Sequence, residues 1–183
     1  MIRSELIRYT LVLDLDETLI HYEEDEAEEE GKVHFRPFLE PFLEQMSLFY
    51  NLIIFTASLK DYADPILNYI DPDNLFFKKR YYREHTINNL NSNLKDLSIL
   101  NLDLSKVIIV DNIPENFERQ KKNGIFIKSW YSDEKDTALQ ELIPFLRNIV
   151  QREVKDVRDF LEEHRQQMIN HIQRGSVTPS FDF

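Results

Sequence analysis

Two aspartates one residue apart, Asp14 and Asp16, close the apolar run Leu11-Val12-Leu13. That run follows Tyr9 and Thr10 and has the β-prone, continuously apolar character of a buried parallel strand. Carboxylates at the edge of a core are costly to desolvate, so a cation must compensate them, most simply a metal ion. The bland alternative is a solvated strand end followed by a helix cap. Two further apolar runs end in similar residues. Leu52-Ile53-Ile54-Phe55 leads into Thr56-Ala57-Ser58, and Val107-Ile108-Ile109-Val110 leads into Asp111-Asn112. In an open parallel α/β sheet, ligands bind outside the carboxyl ends of the strands. Three strands ending this way would gather carboxylate, hydroxyl and amide oxygens around one crevice. An all-oxygen set suits a hard cation such as Mg²⁺.

Asp14-Leu15-Asp16-Glu17-Thr18 resembles the Asp-x-Asp-x-Thr signature of the haloacid dehalogenase superfamily phosphatases. Phe55-Thr56-Ala57-Ser58, Tyr62-Ala63-Asp64-Pro65, Arg83-Glu84-His85, Lys95-Asp96-Leu97-Ser98, Val110-Asp111-Asn112 and Lys128-Ser129-Trp130 are similar to the small phosphatases that act on the C-terminal domain of RNA polymerase II and to their Dullard-like relatives. The likeness runs from about Tyr9 to about Val150 in the family's order. It implies an α/β fold, a haloacid-dehalogenase-like Rossmannoid three-layer sandwich. That fold has a central parallel sheet and, here, a short insertion after the first strand. It also implies a Mg²⁺-dependent phosphatase for phosphoserine or phosphothreonine in proteins.

Within that resemblance Asp14 is the nucleophile, forming an aspartyl-phosphate. Asp16 protonates the leaving oxygen and then activates water, and its backbone carbonyl rather than its side chain is the metal ligand. Asp14, Asp16, Asp111 and Asn112 form the metal set. Thr56 donates to a phosphoryl oxygen, and Lys95 offsets the charge of phosphate and Asp14. Thr18, Ser58 and Arg83 are the substrate-binding candidates, although Arg83 could equally pair with Glu84 or a neighbouring acid. His85 reads as structural.

These groups need elements to carry them. Pro37 opens a helix with Phe38, Phe42, Met46 and Phe49 on a core face. Ser58 can cap the next helix, with Asp61 in its first turn and Tyr62, Ile66 and Tyr69 along one side. Asp71-Pro72-Asp73-Asn74 is a turn. Ile125-Phe126-Ile127 follows Gly124 as a short strand. Thr137 to Val150 is helical, with Pro144 expected to kink it. Alternating strands and helices predict a parallel sheet.

Between the first strand and Val33 lies Glu23–Glu30, eight residues with seven negative charges. It reads as a solvated loop without strands. The apolar substrate pocket that the resembling phosphatases build at this insertion is therefore not expected here.

The sequence divides into a phosphatase domain over 1–150, a C-terminal helix over 151–174 and a tail over 175–183. Val150, Val154, Val157, Leu161, His164 and Met168 alternate in steps of four and three, the spacing of a coiled-coil seam. That helix either offers its seam to a helical protein partner or folds it back onto the domain.

The 183 residues fit one domain with a normal core. No stretch of about 18 apolar residues predicts a membrane span, and Arg8 interrupts Leu6-Ile7 before any signal-peptide core can form. Absence of cysteine excludes disulfides, thiol catalysis and cysteine zinc sites. A net charge of −11 argues against direct nucleic-acid binding. The expected partner is a phosphoprotein, and the expected location intracellular, in nucleus or cytoplasm, with the mitochondrion open. The rival functional reading is a scaffold or assembly subunit on the phosphatase fold, like the mitochondrial import receptor branch.

Overall fold

A computed structural model of the chain describes residues 9–24, 31–89 and 92–174; side chains at 89, 92 and 166–174 lie outside that description. Strand β1 (Tyr9–Leu13) is the centre of a five-stranded sheet. Its neighbours are β4 (Tyr50–Phe55) and β8 (Val107–Asp111), and β5 (Phe77–Tyr81) and β9 (Gly124–Phe126) form the edges, in the order β5-β4-β1-β8-β9. Every pairing is parallel. The continuous apolar runs are explained by two buried faces. Leu11, Leu13, Leu52, Ile54, Ile108 and Val110 enter one core, and Val12, Ile53, Phe55 and Ile109 enter the other.

The first core is covered by helices α1 (Leu39–Ser47), α2 (Lys60–Ile70), α3 (Ala138–Gln151) and the start of α4 (Val157–Arg174). The second is covered by 3-10 turns at Leu97–Leu100 and Pro114–Asn123, which bring in Leu97, Leu100 and Phe117. Gly124 opens β9 against Phe117, where a Cβ would strike the ring. The three-layer architecture is the expected one.

Local differences have physical causes. Phe38 is not on the core face of α1. It precedes the helix with φ 65° and is exposed, while Leu39, Phe42, Leu43 and Met46 are buried. Ser58 does not cap α2, whose N-cap is Leu59, because its hydroxyl is taken by Asp16. Tyr69 is exposed and stacks on Phe35, leaving Ala63, Ile66 and Leu67 as the buried side of α2. Pro144 sits inside the unbroken span of α3.

The insertion does form strands. β2 (Ile20–Glu23) and β3 (Lys32–Phe35) pair as an antiparallel hairpin, with Glu23 opposite Lys32. Residues 25–30 of the acidic run lie outside the described residues. A second hairpin joins β6 (Ile87–Asn89) to β7 (Ser92–Leu94).

The helix expected over 151–174 begins later, at Val157. α3 ends at Gln151, Glu153 turns the chain at φ 49°, and α4 begins at Val157. The Val154 carbonyl at this corner accepts from the Tyr9 hydroxyl at 2.8 Å and from Lys106 Nζ at 2.5 Å. Val157, Phe160 and Leu161 are buried in the main core, so the first half of the seam faces the domain and packing continues past residue 150. The Met168 side chain and the tail lie outside the described residues. Among the described residues, no helix is long and apolar enough to cross a membrane.

Candidate active site

Asp14 leaves the carboxyl end of β1, and its amide still donates to the Val110 carbonyl of β8 at 3.0 Å. The chain then folds tightly. Leu19 and Ile20 amides both return to the Leu15 carbonyl, at 2.8 and 3.2 Å, and the buried Leu15 and Leu19 anchor the turn. Glu17, at φ 55°, takes the left-handed step that this return requires. Asp16 is carried out to a half-buried position, while Asp14 and Thr18 stay inside.

Lys95, just after β7, reaches into the sheet end with no exposed surface. Its ammonium lies 2.5 Å from Asp14 Oδ1 and 2.6 Å from Asp111 Oδ2. The Lys95 amide donates to the Asn116 carbonyl at 2.6 Å, which fixes its approach. Burial pushes the Asp14 carboxyl up, Lys95 pulls it down, and the neighbouring Asp111 and Asp16 push it up again; the balance is about 7. Burial would lower Lys95, but the two carboxylates outweigh it and hold the ammonium above its ordinary value.

Asp111 is shared among several donors. Its Oδ1 accepts from the Ile113 amide at 2.8 Å, and Asn116 Nδ2 lies 3.2 and 3.3 Å from its two oxygens. Asn112 donates through Nδ2 to Ser129 Oγ at 2.9 Å, which leaves its Oδ1 facing the Thr18 hydroxyl at 3.4 Å. Thr18 is fully buried and donates to Asp14 Oδ2 at 3.0 Å. Expected as a substrate-binding candidate, Thr18 here engages the Asp14 carboxylate itself.

The opposite wall comes from β4 and α2. Thr56 continues β4, its amide donating to the Tyr81 carbonyl at 2.9 Å, and its hydroxyl accepts from the Ser58 amide at 3.0 Å. Asp16 Oδ2 accepts from Ser58 Oγ at 2.6 Å, and Oδ1 accepts from the Tyr62 hydroxyl at 2.7 Å. Arg83 is exposed at this rim, but its Nε donates to the Ala57 carbonyl at 2.6 Å rather than pairing with Glu84. His85 is structural as expected, its Nδ1 accepting from the Tyr82 amide at 3.0 Å.

The sequence reading missed three supports. Asn116 and Ser129 orient Asp111 and Asn112, and Arg36, buried, ties the loops together. Arg36 donates to the Thr18 and Lys128 carbonyls at 3.1 and 3.0 Å and pairs with Asp136 at 2.8 Å. Ser129 lies in a quoted motif, but nothing in its spacing announces Asn112 as its partner.

Among the described residues no three acidic or imidazole side chains converge to hold a metal ion by themselves. The donors around Asp14 are two carboxylates and an amide oxygen, with the Asp16 side chain turned away to Ser58 and Tyr62. This fits Mg²⁺, which is commonly held by one or two carboxylates and keeps several waters.

An apolar groove of about 330 Å³ lies between β3 and α2, lined by Val33, Phe35, Pro65, Ile66 and Tyr69. The short insertion thus still borders an apolar surface, against expectation.

A sequence model described as NLI interacting factor-like phosphatase matches residues 9–158. The chain belongs to this family. It is 42% identical over 177 residues to nuclear envelope morphology protein 1 of Schizosaccharomyces pombe, covering 88% of this chain and 37% of that protein. It is 42% identical to CTD small phosphatase-like protein 2 of Dictyostelium discoideum, covering 85% and 30% of the two chains. CTD nuclear envelope phosphatase 1 of Xenopus tropicalis is 38% identical, with 90% and 75% covered. The chain thus spans about a third of the length of the first two relatives. Among solved structures, Fcp1, an essential RNA polymerase II CTD phosphatase, matches with a TM-score of 0.59 at 20% identity, covering 94% of this chain and 51% of that one. This last likeness supports the family's fold.

Proposed function

We propose that this domain is a Mg²⁺-dependent protein serine/threonine phosphatase working through a phosphorylated Asp14. The observation that carries the reading is the Lys95 ammonium between Asp14 and Asp111, 2.5 and 2.6 Å away. A buried cation at the foot of a buried carboxylate lets that carboxylate stand against a phosphate dianion. Asp14, Asp111, Asn112 and the Asp16 carbonyl would hold Mg²⁺, which supplies charge neutralisation between nucleophile and phosphoryl group.

Asp14 attacks phosphorus through a carboxylate oxygen while the bond to the serine or threonine oxygen breaks. Asp16 delivers its proton to that oxygen. In the second step Asp16 takes a proton from water, whose oxygen attacks the aspartyl-phosphate and releases inorganic phosphate. Thr56 donates to a phosphoryl oxygen, and Thr18 and Lys95 keep Asp14 aimed. Ser58 serves Asp16 first, and we infer that Arg83, exposed at the rim, meets substrate beyond the phosphate.

The substrate we infer is a phosphoprotein segment. The β3–α2 groove would take an apolar side chain, and the acidic sequence run Glu23–Glu30 favours basic flanks over nucleic acid. Relatives named for the nuclear envelope support a nuclear or cytoplasmic setting and give the mitochondrial alternative no support. The proximity of Lys95 to Asp14 and Asp111 supports the phosphatase reading over the scaffold one, and turnover separates the two.

The test is acid-quenched turnover of a labelled phosphopeptide. The protein should carry label in Mg²⁺, and Asp14→Asn should carry none and hydrolyse nothing while keeping its circular dichroism. Full turnover in that variant would remove Asp14 from the role.

A further inference from the structure

Asp16 is held from the segment that leads from β4 into α2 and not from its own strand. A carboxylate offers roughly four acceptor positions. Tyr62 occupies one on Oδ1 at 2.7 Å, and Ser58 one on Oδ2 at 2.6 Å, with Thr56 a weak third contact at 3.5 Å. Tyr62 is the third residue of α2, half-buried, with its ring edge-on to Tyr22 of β2 at 5.8 Å and 83°. The Tyr22 hydroxyl in turn accepts from the Gly31 amide at 3.1 Å, where β3 begins. The Tyr62 ring is therefore wedged between helix and hairpin, and its hydroxyl is aimed at Asp16. A phenylalanine would fill the same space; the hydroxyl answers to Asp16. Burial first, then donation to Asp16, push the Tyr62 hydroxyl well above its ordinary range, so it remains a donor at any working pH.

We propose that Tyr62 is a positioning residue for the leaving-group acid: it fixes the orientation of the Asp16 carboxyl so that the position left open on Oδ1 faces the departing oxygen. This rests on the reading of Asp16 as acid and base. Tyr62 touches neither phosphate nor leaving group in this role. Its effect scales with how much the leaving group needs a proton. An alkoxide leaving from phosphoserine needs one, whereas a nitrophenolate does not.

The experiment is single-turnover release of the leaving group from a series of phosphate monoesters, from nitrophenyl through phenyl to serine phosphate in a peptide, in saturating Mg²⁺. Single turnover isolates the first step from the second, where Asp16 acts on water. Wild type, Tyr62→Phe, Ser58→Ala and Asp16→Asn are compared, each checked for folding by circular dichroism. Tyr62→Phe keeps the ring on Tyr22. It should lose about tenfold at the alkyl end, and the loss should shrink toward nitrophenyl, giving a steeper dependence of rate on leaving-group pKa. This is a fraction of the roughly 10²–10⁴-fold that general acid catalysis supplies. Ser58→Ala should steepen the dependence in the same direction, and Asp16→Asn most of all. A Tyr62→Phe line parallel to wild type, whatever its offset, overturns the proposal, because a merely structural role shifts all substrates alike. An Asp16→Asn line parallel to wild type overturns instead the assignment of Asp16, whatever Tyr62→Phe does.

Discussion

Lys95 and Asp111 meet at 2.6 Å with no side-chain surface exposed on either, although they come from separate segments of the chain. The same ammonium serves Asp14, so one lysine contacts two buried carboxyl groups. Removing one partner of a buried ion pair leaves uncompensated charge and typically costs about 3–5 kcal/mol. Lys95→Met should therefore lose stability on that scale in urea unfolding, along with activity. Adding Asp111→Asn should restore part of the stability and none of the activity. Equal stability of Lys95→Met and wild type would show that the pair contributes nothing to the fold.

The carboxyl of Asp14 holds its proton more tightly in the folded chain than its ordinary value of 3.8 allows, burial being the leading cause. A group raised on folding contributes stability below its unfolded pKa and loses it as pH rises through the folded value. In the metal-free protein the stability of wild type relative to Asp14→Asn should fall between about pH 4 and pH 7. Mg²⁺ selects the carboxylate, so the rise in Tm on adding it should be larger at pH 8 than at pH 5.5. Thermal unfolding of both proteins with chelator and with Mg²⁺ is the measurement. A pH-independent difference between them contradicts the raised value.

Val157, Phe160 and Leu161 are buried in the main core, so the first two turns of α4 belong to the domain. Each such side chain contributes roughly 1.5–3 kcal/mol on burial. Truncation after Val150 should unfold the protein or take most of its stability, whereas truncation after Met168 should leave fold and activity intact. Partner binding through the seam is then confined to the distal half of the helix. A Val150 truncation that stays folded and active but loses an oligomer would reverse this assignment.

Glu23 and Glu24 lead from β2 into an acidic run, and Tyr22 beside them touches Tyr62 at the site. Charges at the mouth of a cleft steer ligands within a Debye length. Replacing the acids of Glu23–Glu30 with Gln should lower kcat/KM several-fold for a phosphopeptide with basic flanks at low ionic strength, and raise it for an acidic one. The two proteins should converge at about 0.5 M salt. An unchanged preference at low salt would make the run a solvated connection only.

The sequence alone carried the sheet and the gathering of the candidate site residues at one of its edges. Leu11–Leu13, Leu52–Phe55 and Val107–Val110 are apolar on both faces, and that pattern has few solutions other than parallel strands under two layers. Polar residues at their carboxyl ends then fall on one edge by topology, which is why Asp14, Thr56 and Asp111 were legible before any coordinate. What tertiary structure decided is where each side chain spends its hydrogen bonds. Ser58 has the type and position of a helix cap, yet it donates to Asp16, which comes from a strand neighbouring its own in the sheet. Thr18 closes the Asp-x-Asp-x-Thr run and was a substrate-binding candidate, yet it is buried and donates to Asp14. The seam from Val150 follows helical periodicity, yet Glu153 breaks it because Val154 must turn to meet Tyr9 and Lys106. Periodicity reports which residues seek burial and strand ends report where polar groups gather; neither reports the partner, because partners are set by contacts between segments far apart in the chain.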